Sequence, residues 1–322
     1  MRRLPLQLAS ALAAVLLVAP AASATLVYQR TNNDRLVVAR DDGTHARVIA
    51  TPRRTIRQTA VSPNGAWVAY ATTRTSLRTE SGPNRVFIVK TRGGKPITVI
   101  RGDAWGLIAW SPDSRYLVAG DSGDAIIIDV ATGRRFSLSL TGPFDAASFS
   151  PRSFSPPSGS VAIGWFPSGD AGSVDQYTVI DVRSHSEVVG AGGDGSLPVW
   201  GRRGLAFVDA DGALDLTLTP SNNDRTVLNA PADPAFLFPV AWSRDGRRLL
   251  VAESPGSGLL TATILTVRNR AETRLPLVFD AIDSLSKDGR HVLGETGNDI
   301  VTEGLSGRVV VLAHRARSAS WN

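Results

Sequence analysis

The sequence predicts an all-β fold made by repeating one four-stranded antiparallel unit, and three observations predict it. One turn motif recurs along the chain, a second hairpin follows each copy, and helical periodicity is absent once the N-terminal leader has passed. Together they define a β-propeller, read as seven blades with six as the alternative.

The turn motif comes first. Ala60-Val61-Ser62-Pro63-Asn64-Gly65-Ala66-Trp67 matches Ala109-Trp110-Ser111-Pro112-Asp113-Ser114-Arg115-Tyr116. Both match Ala241-Trp242-Ser243-Arg244-Asp245-Gly246-Arg247-Arg248, and Ser284-Leu285-Ser286-Lys287-Asp288-Gly289 is a weaker copy. Ser148-Phe149-Ser150-Pro151 and Val199-Trp200-Gly201-Arg202-Arg203-Gly204 are degenerate copies. Proline presets φ for a turn, Asn or Asp supports it with the side chain, and glycine takes the positive-φ position. The large residue before serine ends one strand, and the apolar run after glycine begins the next.

The second hairpin has the same regularity. Val86–Lys90 returns as Pro96–Ile100, Ala125–Val130 as Phe136–Leu140, Tyr177–Val182 as Glu187–Val189, Leu214–Leu218 as Thr226–Leu228, Ala262–Val267 as Thr273–Leu275, and Ile300–Glu303 as Arg308–Leu312. Each unit therefore reads A, B, C, D. The anchors Val61, Trp110, Phe149, Trp200, Trp242 and Leu285 are spaced as propeller blades are, at about 40–50 residues.

The two ends of the chain complement each other. Leu26–Arg30, Arg35–Arg40 and Arg47–Ile49 read as strands B, C and D without an A, and Ala319-Ser320-Trp321-Asn322 reads as an A with nothing after it. Pairing them closes the ring and removes free sheet edges. Trp110, Trp200, Trp242 and Trp321 share one repeat position, which marks them as packing residues between blades.

Residues 1–24 read as an export signal. Arg2 and Arg3 precede an apolar stretch from Leu6 to Val18, Pro20 breaks it, and Ala22-Ser23-Ala24 supplies the small-x-small cleavage pattern. The stretch is shorter than the roughly 20 residues that span a bilayer, so an uncleaved anchor is the lesser alternative. Residues 25–322 then form one propeller domain, exported to the periplasm, the cell envelope or the exterior. The chain has no cysteine, which excludes disulfides, thiolate metal sites, cysteine nucleophiles and an N-terminal lipidated cysteine. The formal charge of +6 falls to +4 without Arg2 and Arg3, and the remaining arginine pairs are scattered, so no nucleic-acid stripe is expected.

The Ser-Pro-Asp-Gly-Arg type of repeat around Trp110 and Trp242 resembles the TolB-like, WD40-like propeller repeat over nearly the whole mature chain. The resemblance implies the propeller fold. Family members include periplasmic proteins that bind other proteins and propeller domains attached to serine peptidases. The chain departs from both: strands begin close to Thr25, where TolB carries an α/β domain first, and no residues remain for a hydrolase domain.

Candidate chemistry is sparse. Gly120-Asp121-Ser122-Gly123 has the form of a protease nucleophile motif but falls where a turn is needed, without a framed histidine. Asp209-Ala210-Asp211-Gly212 has the start of a calcium loop but no ligand ladder after it. His45, His185, His291 and His314 show no metal spacing or carboxylate framing. No catalytic, cofactor or metal residue is assigned. The D-to-A and B-to-C loops must share one face by parity. The candidate partner face therefore comprises Asp103, Trp105, Phe144, Asp145, Asp194, Phe236 and Asp280, with Phe238, Asp283, Arg53, Arg54 and Arg57 and the long loops Thr72–Pro83 and Pro167–Asp175. The expectation is a monomeric, non-catalytic module that binds another protein of the envelope or exterior. The alternative is a lyase, hydrolase or small-ligand receptor whose carboxylates Asp103, Asp145, Asp194 and Asp280 converge at the channel mouth.

Overall fold

A computed structural model describes residues 25–31, 34–73, 85–101, 108–121, 124–139, 144–148, 154–156, 159–167, 176–184, 187–191, 197–209, 211–217, 225–229, 231, 235–255 and 258–321. Residues 1–24 and most of the two long loops lie outside them.

The described strands form seven four-stranded antiparallel sheets. Blade 1 holds β1 (Thr25–Arg30), β2 (Arg35–Arg40) and β3 (Arg47–Ala50). Blade 2 is β4 (Thr55–Val61), β5 (Trp67–Thr73), β6 (Arg85–Lys90) and β7 (Ile97–Arg101). Blade 3 is β8 (Ile108–Trp110), β9 (Tyr116–Asp121), β10 (Asp124–Asp129) and β11 (Arg135–Ser139). Blade 4 is β12 (Phe144–Ser148), β13 (Ser160–Pro167), β14 (Gln176–Asp181) and β15 (Glu187–Ala191). Blade 5 is β16 (Val199–Gly201), β17 (Gly204–Val208), β18 (Leu214–Thr217) and β19 (Arg225–Leu228). Blade 6 is β20 (Phe236–Trp242), β21 (Arg248–Ser254), β22 (Leu260–Thr266) and β23 (Ala271–Phe279). Blade 7 is β24 (Ala281–Leu285), β25 (His291–Thr296), β26 (Asp299–Gly304) and β27 (Val309–His314). The last strand, β28 (Ala316–Trp321), returns to blade 1, whose order is β28-β1-β2-β3.

That return is the closure the two chain ends predicted. Leu26 pairs with Trp321, Val27 with Ser320, Gln29 with Arg317 and Arg30 with Ala316. Every other blade is one continuous meander; blade 1 alone is joined at its A–B edge by hydrogen bonds rather than by chain.

The core lies between blades. A separate buried apolar cluster fills each seam, from Val27, Leu36 and Val61 between blades 1 and 2 to Leu26, Tyr28, Leu293 and Ile300 between blades 7 and 1. The others join blades 2 and 3, 3 and 4, 4 and 5, 5 and 6, and 6 and 7 in turn. Burial on both faces explains strands such as Leu36–Ala39 and Val68–Ala71, which are apolar without alternation. First strands of neighbouring blades touch, as β20 does β24, β24 does β28 and β28 does β4. The fourth strands β3, β7, β23 and β27 carry exposed Val48, Ile97, Val278 and Val309–Val311. First strands therefore line the axis and fourth strands form the rim.

The tryptophans confirm the packing expectation where they are deepest. Trp110 Nε1 donates to the Ala60 carbonyl of the preceding blade (3.0 Å), and Trp242 Nε1 to the Val199 carbonyl (3.1 Å). Gly201 is required by this contact: a Cβ there would lie 2.3 Å from Trp242 Cγ. Trp200 and Trp321 bury their indole nitrogens without such a partner among the described residues.

Candidate functional site

The two faces of the ring are built differently. On the A–B turn face the repeat motif makes one device several times over. Ser62 Oγ donates to Asn64 Oδ1 (2.8 Å) and accepts the Trp67 N–H (2.9 Å). Ser111 does the same with Asp113 and Tyr116, Ser243 with Asp245 and Arg248, and Ser286 with Asp288 and His291. Gly65, Gly246 and Gly289 take φ near +70°, and Ser114 adopts 63° in the same place. These turns also bond to one another around the ring: Asn64 N–H donates to Ser114 Oγ (3.0 Å), and Arg248 Nη1 to the Gly289 carbonyl (3.1 Å). Their polar groups are largely spent on scaffold.

The opposite face carries the D-to-A and B-to-C connections together, as parity required. Gly297 N–H, in the B–C turn of blade 7, donates to Asp280 Oδ2 at that blade's D–A junction. Arg315, the connection into β28, accepts from Thr31 N–H in the B–C turn of blade 1 (2.8 Å).

The predicted partner-face residues are distributed as follows. Asp103, Trp105 and Asp194 lie outside the described residues, and for Phe144 and Asp145 only the strand backbone is described. Phe236 is 46 % exposed at the start of β20, and Asp280 is exposed. The expected convergence of Asp103, Asp145, Asp194 and Asp280 therefore has one described member, Asp280, which caps a turn. Arg57 and Asp283, read as loop residues, stand inside β4 and β24 instead. The reason is a bulge. The register slips at Arg57 between Ile56 and Gln58, at Asp145, at Val240, at Asp283 between Ile282 and Ser284, and at Ser318–Ala319 in β28. Five first strands thus bear one extra residue, and bulges re-aim side chains in this way.

Two of these bulges, at Ser318 and Arg57, are joined where the ring closes, and Ser318 also reaches Glu295 on the strand beside the Asp283 bulge. Ser318, at φ 53°, donates its N–H to Glu295 Oε1 of β25 and its Oγ to the Arg57 carbonyl (3.1 Å). Its own carbonyl accepts from Thr59 Oγ1. Arg317 Nε donates to Gln29 Oε1 (3.1 Å), and Val61 N–H to Ser320 Oγ (3.2 Å). Asp283 faces Glu295, and its Oδ2 is shut off from solvent with no hydrogen bond among the described residues. Burial, then the Glu295 charge, push the Asp283 carboxyl well above the ordinary aspartate range. Burial also raises Glu295, reinforced by Asp280 and opposed by the Ser318 N–H and by Arg317. Sequence reading missed Glu295. Its one signal is a carboxylate at the end of the otherwise apolar run Val292–Gly294.

The remaining motifs resolve as turns. Asp209 Oδ1 accepts from Asp211 and Ala213 N–H, with Gly212 at φ 80°, which is a tight hairpin. In the Gly120–Gly123 motif Asp121 pairs with Asp124, and Ser122 and Gly123 lie outside the described residues. The histidine reading needs correction: His314 has Asp299 Oδ2 beside it at 3.0 Å, brought there by the β26–β27 pairing, and His291 has Asp288 Oδ1 at 3.9 Å. Among the described residues no three His, Asp or Glu side chains gather as a metal shell.

No family model matches the sequence, and no curated protein matches it. Solved structures do. Over 93 % of its length the chain is similar to TolB from Acinetobacter baumannii, at 14 % identity and a TM-score of 0.56, spanning 66 % of that chain. An oligogalacturonate lyase in complex with manganese matches over 89 % of this chain and 83 % of its own, at 13 % identity and a TM-score of 0.61. The β-propeller domain of the Trilobed protease from Pyrococcus furiosus matches over 80 % and 84 %, at 13 % identity and a TM-score of 0.55. At such identities the likeness is one of fold. By fold, the chain is a β-propeller, and TolB is among the structures that share it.

Proposed function

We propose that this chain is an exported, monomeric binding module that captures another protein on its D-to-A face and performs no chemistry on it. One observation carries the reading. At the loop-face end of blade 6, Phe236, Leu259 and Val278 are exposed by 46 %, 44 % and 42 %. They stand at the start of β20, in the B–C connection and near the end of β23. An aromatic and two aliphatics beside charged Asp280 suit the apolar centre and polar rim of a protein interface. Placement in the envelope or outside the cell rests on the leader, Arg2 to Ala24.

A photo-crosslinking residue at Phe236 in the native organism should trap a defined partner, while one at Asn64 on the turn face should trap none. Equal trapping at both positions overturns the reading. With that partner in hand, Phe236→Ala should weaken capture about thirtyfold, the weight of a hot-spot aromatic at about 2 kcal/mol. Thermal unfolding of the variant should stay unchanged.

A second reading, a channel-mouth enzyme, draws on the raised carboxyls Asp283 and Glu295 in the axis-lining region, since acid–base catalysis uses such pairs. It predicts turnover of a small substrate that Asp283→Asn abolishes, whereas the binding reading predicts partner capture that survives Asp283→Asn.

A further inference from the structure

We propose that Asp283 is a proton-operated latch on ring closure: neutral, it leaves Glu295 free to hold the closing strand β28; ionised, it sets two like charges together and releases that strand. The inference stands independently of the binding reading.

The geometry supplies each part. Blade 1 is the one blade whose A–B edge is not continuous chain, so it can part without breaking a covalent connection. Its β28 is gripped at the Ser318 bulge, where the N–H reaches Glu295, the carbonyl takes Thr59 Oγ1 and the Oγ reaches Arg57. The Glu295 contact comes from blade 7 and therefore spans the seam. Asp283 is the bulged residue of β24, two positions along from Ala281, the partner of Glu295 on β25, with Oδ2 buried and unpartnered among the described residues and within reach of the Glu295 charge. Buried like-charged carboxylates cannot both ionise without cost. The charged groups facing the pair are Asp280, which adds to the repulsion, and Arg317, which favours ionised Glu295. Glu295 is thus the member that keeps its charge and its hold on Ser318.

The sign follows from linkage. The folded ring binds the Asp283 proton more tightly than the open chain does. Closure is therefore fully supported in acid. It weakens as pH rises from the ordinary aspartate range into the raised range of the folded state.

Hydrogen exchange on the full chain tests this. Exchange in residues 316–321, corrected for its intrinsic pH dependence, should accelerate about tenfold more than in residues 55–73 as pH rises from 4 to 9. Asp283→Asn should abolish the excess, and Glu295→Gln, which keeps an acceptor but drops the charge, should blunt it. Should Asp283→Asn fail to fold, Asp283→Ser provides the same readout. No excess in the natural chain, or an equal excess in both variants, overturns the proposal.

Discussion

Asp283 and Asp288 belong to the same blade, separated by four residues, and their carboxyls behave in opposite ways. Asp288 is in a repeat turn. Burial pushes it up, but the Ser286 hydroxyl, the Arg290 N–H and nearby His291 more than reverse that, so it stays below the ordinary range. Asp245 is held low in the same way by Arg247 N–H and Ser243. Asp283 Oδ2 has no such donor among the described residues, and the carboxyl is raised by burial and by Glu295. Glu303 is raised too: burial dominates, although Leu277 N–H in the β23 bulge of blade 6 reaches its Oε2 (3.2 Å). Where a residue repeats, the fold supplies hydrogen-bond donors for it. At the non-repeating carboxyls Asp283, Glu295 and Glu303, burial is the largest effect and any donor present does not reverse it.

The largest test of this contrast uses tryptophan. Trp242 fills a seam and donates to Val199, so Trp242→Ala should cost about 3–5 kcal/mol in urea unfolding. Trp321 occupies the same repeat position but is half-buried, and its indole N–H has no partner among the described residues. Trp321→Ala should therefore cost less than half as much, and equal costs would erase the distinction. Next, Gly201→Ala forces a Cβ against the Trp242 ring and should cost about 1–3 kcal/mol by the same measurement.

The smallest effects differ in sign. Asp288→Asn should destabilise by about 0.5–1 kcal/mol at neutral pH, because its side chain is partly exposed and its donors are few. That contribution is present above the ordinary carboxylate range and lost as pH falls through the lowered folded value. Asp283→Asn should stabilise at neutral pH and have no effect in strong acid, where the natural carboxyl is already neutral. Thermal midpoints measured across pH check both; like signs at neutral pH would break the comparison.

How much was legible in the sequence follows the same division. The Ser-Pro-Asn-Gly turns could be read because each residue type has one conformational task there. The closing pair Leu26 and Trp321 could be read because one end lacked the strand the other supplied. The bulges could not. An extra residue in a strand leaves composition and alternation almost unchanged, so Arg57 and Asp283 appeared to be loop residues. Glu295 was invisible because its meaning depends on Ser318 from a distant part of the chain.

The closing pair also has a mechanical consequence. β1 and β28 are antiparallel, and the chain enters at Thr25 and leaves at Trp321 on the same side of the ring. Their hydrogen bonds run perpendicular to the strands. Tension drawn through both chain ends would load those bonds one after another, from Leu26 opposite Trp321 inward, and not all at once in shear. Blade 1 is thus a zip fastener with its tab at the turn face: hard to slide, easy to peel, and the first place the ring yields to a pull.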